Sequence, residues 1–100
     1  MITITAVIRA KAGHEATLRD ALVAVAAHVA ANEPETIGFF ISQSETEPAL
    51  FTTYERFADK AAMDRHNGSA AVATFFGIAK PILNGEVILV TSQEVSATLR

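Results

Sequence analysis

The order of two hydrophobic periodicities limits the folds that this chain can adopt. Over residues 2–10 apolar side chains alternate with mostly polar ones, which is the period of a half-buried strand. From His14 to about Asn32 apolar residues recur at spacings of three and four, which places them on one stripe of a helix. Pro34 ends this helix, because proline disfavours helical backbone at the residue before it. The chain is therefore predicted to begin with a strand and a long helix.

Two further strands and a short helix are predicted in the middle of the chain. Residues 37–45 and 49–57 are rich in β-forming side chains, and the short polar connection between them is typical of an antiparallel hairpin. Asp59 is a favourable N-cap for a helix over residues 60–67. Gly68 is expected to close that helix in the left-handed conformation.

The C-terminal third predicts one more helix and one more strand. Ser69 is placed to cap the helix, whose apolar residues are spaced by three, four and seven, and Pro81 bends or ends it. Residues 86–95 form the last strand. The predicted order is strand, helix, strand, strand, interrupted helix and strand. This is the βαββαβ order of a ferredoxin-like α+β fold, with one antiparallel sheet and helices on one face. We expect residues 1–100 to form a single domain.

The predicted strands carry apolar residues on both parities, so the sheet face without helices should also be apolar. A second copy of the chain would cover that face, and the alanine-rich core gives a further reason to expect a homodimer. The apolar strand residues of the two parities are Val7, Phe40, Phe51, Phe57, Ile88 and Val90 beside Ile4, Phe39, Leu50 and Leu89.

Composition argues against several classes of partner and cofactor. The net charge is −3 and Lys and Arg are not clustered, so neither nucleic acid nor a membrane surface is an expected partner. The chain has no cysteine, which excludes thiolate chemistry and suits a reducing cytoplasm. The alternating N-terminus reads as a strand rather than a signal peptide. Scattered glycines and three widely separated histidines predict no nucleotide loop and no metal site, so no cofactor is expected.

Histidine 66 is the leading candidate for a functional side chain. It follows Met63 by three residues on the predicted short helix and therefore shares its inward face. The alternative is a structural histidine at a helix C-terminus, where a cation is favoured. Tyr54 and Glu55 adjoin on a strand, so only one of them can face the helices. The histidines near the two ends of the long helix, His14 and His28, are expected to be solvated.

Aromatic residues could wall a pocket for a flat substrate, or they could be ordinary core. The expected substrate-binding residues are Phe39, Met63, Phe75 and Phe76.

The segment from Tyr54 to His66 carries a family pattern. It reads roughly Y-E-x-[WFY]-x-D-x-x-A-x-x-x-H, and Ser69 and Phe75-Phe76 follow it. With this pattern the chain resembles the antibiotic biosynthesis monooxygenase domain family over nearly its whole length. The resemblance implies βαββαβ subunits whose two sheets meet in a shared dimeric α/β barrel.

The same resemblance implies a chemistry. The family includes cofactor-free oxygenases of phenols and quinols, haem-degrading enzymes and an isomerase of a sugar phosphate. Haem is not expected, because the haem-degrading branch uses a first-strand asparagine and a helix histidine that this chain lacks. The implied activity is a cofactor-independent monooxygenation of a small phenolic or quinol-type molecule, with His66 and Tyr54 as catalytic residues. His66 would move a proton, Tyr54 would orient an oxygen, and Phe75 and Phe76 would form a dry wall. The alternatives are a non-catalytic binding or stress-response dimer, or an isomerase of a small metabolite.

Overall fold

A four-stranded antiparallel sheet forms the frame of the computed structural model, which describes residues 1–100. The sheet order is β2-β3-β1-β4, and all neighbouring strands are antiparallel. This is the predicted ferredoxin-like βαββαβ arrangement; the sheet of one chain is open. The elements are β1 (Ile2–Arg9), α1 (Glu15–Asn32), β2 (Thr36–Gln43), β3 (Leu50–Phe57), α2 (Lys60–Asn67), α3 (Ala70–Ala79) and β4 (Ile88–Gln93).

The helix boundaries follow local capping chemistry. The Asp59 side chain accepts a hydrogen bond from the Ala62 amide at 2.8 Å, and Ser69 accepts one from the Val72 amide at 3.2 Å. Both predicted N-caps are confirmed. Pro81 lies in a short 3₁₀ turn, Lys80–Ile82, that directly follows α3. The predicted left-handed closure at Gly68 is wrong, since its φ is −89°. The chain passes straight from α2 into the cap of α3, so no left-handed reversal is needed there.

Two apolar clusters hold the helices against one face of the sheet. The larger one combines the buried stripe of α1 with residues of β1, β3 and α3, including Leu22, Phe51 and Phe75. The smaller one contains Ile4, Phe57 and Ala62. Each fully buried large side chain contributes about 1.5–3 kcal/mol of transfer free energy. On the helix-facing side of β3, the two positions between Phe51 and Phe57 are polar, and they become part of the site below.

The other face of the sheet is apolar and uncovered in a single chain. Phe40, Ile88 and Val90 are each more than half exposed, and Tyr54 is 39% exposed. Phe51 and Phe57, in contrast, have the opposite parity and are buried against the helices. Separately, none of the helices combines the length and apolar character needed to cross a bilayer.

Candidate functional site

A small cavity of about 60 Å³ lies between the sheet and the helices. Most of its wall is apolar, and its polar residues are Thr53 and Glu55 of β3 with His66 and Asn67 of α2. The apolar lining residues are Ile4, Ala6, Ile8, Leu22, Val25, Phe39, Val72, Phe75, Phe76, Val87 and Leu89.

His66 lies between two carboxylates. Its Nδ1 is 2.8 Å from Oε1 of Glu33, and its Nε2 is 3.2 Å from Oε1 of Glu55. The Thr53 hydroxyl donates to Oε2 of Glu55 at 2.7 Å. The imidazole is only 4% exposed, so this chain of polar groups is largely withdrawn from water.

Several elements fix the orientation of the imidazole. His66 lies in the last turn of α2, and the rings of Phe39 and Phe57 lie beside it with centroids 5.5 and 5.3 Å away. Glu33 follows the last residue of α1, and its Oε1 also accepts a hydrogen bond from the Thr36 hydroxyl at 2.8 Å. The ends of α1 and α2 therefore meet at His66.

The two carboxylates determine the charge of His66. Burial by itself lowers the pKa of the imidazole, but the hydrogen bonds to Glu55 and Glu33, with their negative charges, outweigh it. The net effect raises the pKa of His66 above its ordinary 6.5. A proton on each ring nitrogen would satisfy both carboxylates, so the site favours the charged form of His66 over the neutral ring. The ring lines the cavity, but both of its nitrogens face carboxylates.

Glu55 is the group in this arrangement that can accept a proton from a bound molecule. It lines the cavity, whereas both nitrogens of His66 already have carboxylate partners. Oε2 of Glu55 accepts a hydrogen bond from Thr53 and Oε1 lies 3.2 Å from Nε2 of His66, which leaves lone pairs for a further donor. The site can therefore bind a hydroxyl group against an apolar wall and draw its proton toward Glu55.

Sequence comparison assigns the chain to a family. The sequence model of the antibiotic biosynthesis monooxygenase family matches residues 1–77. The chain belongs to the antibiotic biosynthesis monooxygenase family. Among functionally curated proteins, none matches this sequence significantly.

Solved structures of candidate antibiotic biosynthesis monooxygenases share the fold of this family member. The protein from Caulobacter crescentus is 22% identical with a TM-score of 0.88, and the match covers 95% of this chain and 90% of that one. The protein from Deinococcus radiodurans is 21% identical with a TM-score of 0.87, over 100% of this chain and 98% of that one. The protein from Nitrosomonas europaea is 18% identical with a TM-score of 0.88, over 96% and 100%. Identities this low support the shared fold. The reaction has to be inferred from the site.

The structure brings most of the predicted residues of this monooxygenase-family protein together. Phe39, Phe75 and Phe76 line the cavity with His66, and the two adjacent phenylalanines make an edge-to-face pair with centroids 5.1 Å apart. Met63 is not among the lining residues, and packs instead against the cluster of Ile4, Phe57 and Ala62. Helical spacing correctly placed Met63 on the inward face of α2. That face contacts both the cavity and the smaller apolar cluster, and Met63 lies against the cluster.

Tyr54 does not share the cavity with His66. Its hydroxyl donates to Oε2 of Glu94 at 2.7 Å, on the sheet face away from the helices. Arg56 donates to both oxygens of the same carboxylate at 2.9 and 2.8 Å. Strand alternation allowed only one of Tyr54 and Glu55 to face the helices, and that residue is Glu55. The expectation that Tyr54 works beside His66 is therefore corrected for the single chain.

Sequence reasoning missed three residues of the site. Thr53 has the same strand parity as Glu55, and that alternation could have identified it. Glu33 and His28 come from the end of α1, and Nε2 of His28 is 3.1 Å from Oε2 of Glu33. His28 was predicted to be solvated; its side chain is 30% exposed, and it also lies beside Glu33. No local signal connects Glu33 to a histidine 33 residues away.

The titratable side chains do not form an evident metal centre. No group of three or more His, Asp or Glu side chains is arranged to hold a metal ion.

Proposed function

We propose that this member of the antibiotic biosynthesis monooxygenase family oxidises a small phenolic or quinol-type molecule with dioxygen and without a cofactor. The observation that carries the proposal is the cavity itself, with an apolar wall and the Thr53–Glu55–His66 chain at its polar end. A hydroxyl group directed at Glu55 would be the recognised feature of the substrate.

The chemistry requires little of the protein beyond binding and deprotonation. Glu55 accepts the hydroxyl proton, and the resulting phenolate is electron-rich enough to reduce dioxygen. With a single-ring quinol, one ring C–H becomes C–OH with one oxygen atom of dioxygen, the two original hydroxyl groups lose their hydrogens to become quinone carbonyls, and the other oxygen atom leaves as water. All four electrons that reduce dioxygen then come from the substrate, and no external reductant is needed. The phenylalanine wall excludes water from the reactive intermediate.

Cavity size restricts the substrate. About 60 Å³ is the space of roughly two water molecules, whereas pockets for drug-sized ligands are typically about 300–1,000 Å³. Ring binding therefore requires side chains of the wall to move. Phe76 and Leu89 are suited to this, because Phe76 is only partly buried and Leu89 is 53% exposed on the edge strand β4. We expect a single-ring substrate to be preferred over a polycyclic one.

The acting unit in this proposal is a homodimer. The uncovered sheet face presents Phe40, Ile88 and Val90 to solvent, all more than half exposed. The largely buried ion pair of Arg56 and Glu94 lies on the same face, with side chains 13% and 10% exposed. A second copy meeting the sheet face to face would bury this apolar area. The two open sheets would then form the barrel that the family resemblance implies.

Oxygen uptake with a panel of phenols tests the proposal. Single-ring quinols are compared with anthrone-like phenols. We expect the wild type to turn over a phenol and Glu55→Gln to lower that rate roughly 10²–10⁴-fold. Glu45→Gln removes a carboxylate that is exposed in the β2–β3 connection, and it should leave the rate unchanged. The small cavity also suits a binding module without turnover. Saturable phenol binding with no oxygen consumption would favour that second function and contradict the first.

A further inference from the structure

Glu33 lies between two cavities of different character. On one side its Oε1 contacts Nδ1 of His66. Nε2 of the same ring contacts Glu55, which lines the apolar cavity. On the other side is a separate polar cavity of about 240 Å³, to which His28 and Arg65 contribute. Glu33 does not line the apolar cavity.

We infer that Glu33 is a positioning residue, which holds His66 as a doubly protonated imidazolium and thereby supports Glu55 as a carboxylate at the cavity. The consequence for turnover rests on the proposed function. The charge and orientation of His66 do not, and they can be measured without a substrate.

Hydrogen-bond bookkeeping supports this inference. A carboxylate accepts hydrogen bonds and does not donate them, so Glu33 requires a proton on Nδ1 and Glu55 requires one on Nε2. A neutral imidazole has one proton and could satisfy only one of the two. With Glu33 present, the ring is stabilised by carrying a proton on each nitrogen, because each proton then faces a carboxylate. Without Glu33, burial favours the neutral ring and one carboxylate partner remains.

The surroundings of His66 contain no further charge that could replace Glu33. The charged groups facing the imidazole are Glu33 from the end of α1 and Glu55 from β3, while β2 contributes the ring of Phe39. On α2 itself, Arg65 is the adjacent cation, and it is paired with Glu35. Glu33 therefore provides half of the negative charge that faces the ring.

His28 extends the arrangement toward solvent. Oε2 of Glu33 is buried and has no well-aligned hydrogen bond, although Nε2 of His28 is 3.1 Å away. The side chain of His28 is 30% exposed, so this end of the arrangement reaches solvent.

NMR titration of the histidine rings tests the inference directly. In the wild type both ring nitrogens of His66 should be protonated at pH 7, as read from their ¹⁵N shifts. In Glu33→Gln the midpoint of His66 should fall by about one pH unit or more, because an opposite charge is lost. Glu35→Gln is the matched control, since it removes a nearby carboxylate that contacts Arg65 and not His66. Its His66 midpoint should stay at the wild-type value.

Two results would overturn the inference. A neutral His66 ring in the wild type at pH 7 would do so without any variant, so a poorly folding Glu33→Gln protein would not prevent the test. An unchanged His66 midpoint in folded Glu33→Gln protein would do so as well.

Kinetics then separate this inference from the proposed function. If a phenol is oxidised, Glu33→Gln should lower kcat about tenfold with a smaller change in KM, the effect equivalent to one pKa unit in a supporting group. Its pH profile should shift with the His66 midpoint, and Glu35→Gln should match the wild type. A shifted midpoint with unchanged kcat would overturn the role of Glu33 in the site. If no phenol is oxidised, the proposed function fails, and the NMR comparison still decides whether Glu33 sets the charge of His66.

Discussion

Glu55 and Tyr54 are adjacent on β3, but their side chains serve opposite faces of the sheet. Glu55 lies 3.2 Å from the imidazole of His66 on the helix side, and Tyr54 donates to Glu94 at 2.7 Å on the open side. The first residue belongs to the cavity and the second to the surface that we assign to a partner subunit.

This separation predicts different effects for two conservative substitutions. Glu55→Gln keeps the size of the side chain but removes the proton acceptor, so turnover should fall roughly 10²–10⁴-fold. Tyr54→Phe removes only a hydroxyl on the far face and should leave the rate near that of the wild type. Oxygen consumption of both variants measures the difference, and equal losses of rate would contradict the assignment of the site to the helix side.

Removing His66 should damage stability as well as chemistry. His66→Ala leaves two carboxylates facing each other in a buried space, and breaking a buried ion pair from one side typically costs about 3–5 kcal/mol. Denaturant unfolding measures this loss. His14→Ala is the control, because His14 is exposed and its side chain makes no capping hydrogen bond, so it should change the free energy of unfolding by less than about 0.5 kcal/mol. Equal stabilities of the two variants would show that the buried network contributes nothing.

The raised pKa of His66 predicts a loss of stability on the alkaline side. The folded protein binds the proton more tightly than the unfolded chain, whose histidine titrates near 6.5. The resulting stabilisation is complete below that pH and is lost as the pH rises through the folded-state value. Thermal unfolding measured from pH 5 to 9 should show this decline in the wild type. In His66→Asn the melting temperature should depend less on pH over the same range. A decline equal to that of the wild type would contradict the prediction.

The Arg56–Glu94 pair predicts a second transition in acid. Hydrogen bonds from Arg56 and Tyr54 lower the pKa of Glu94 from 4.5 to about 2. Because the folded-state pKa is the lower one, the stabilisation is present above pH 4.5 and is lost as the pH falls toward 2. Glu94→Gln should abolish this part of the acid sensitivity. Exposed Glu86 is the control, and Glu86→Gln should keep the wild-type acid profile.

The uncovered sheet face predicts a dimer that a single charge can disrupt. Light scattering at micromolar concentration should give about twice the chain mass of 10.6 kDa. Val90→Lys puts a cation on this face, in the edge strand β4, and should produce a folded monomer. Ile78→Lys alters a similarly exposed apolar residue on α3 and should leave the dimer intact. A wild-type monomer would refute the prediction.

Local sequence rules identified most of the fold. The alternation of β1, the stripe of α1 and the caps Asp59 and Ser69 depend on neighbours within four residues, and such patterns are visible in one dimension. The left-handed closure at Gly68 was predicted wrongly. A glycine after a helix can reverse the chain in the left-handed conformation, or it can lead directly to the N-cap of the next helix, as Gly68 leads to Ser69.

The sequence by itself determined the element order, the apolar character of both sheet faces and the rule that Tyr54 and Glu55 must separate. Only the tertiary structure decided which of the two faces the helices, and that the end of α1 delivers Glu33 to His66. The physical reason is that strand parity and helix spacing are local, whereas the contact of Glu33 with His66 joins residues 33 positions apart. That contact depends on how α1 and α2 pack on the sheet, and it sets the charge of the site.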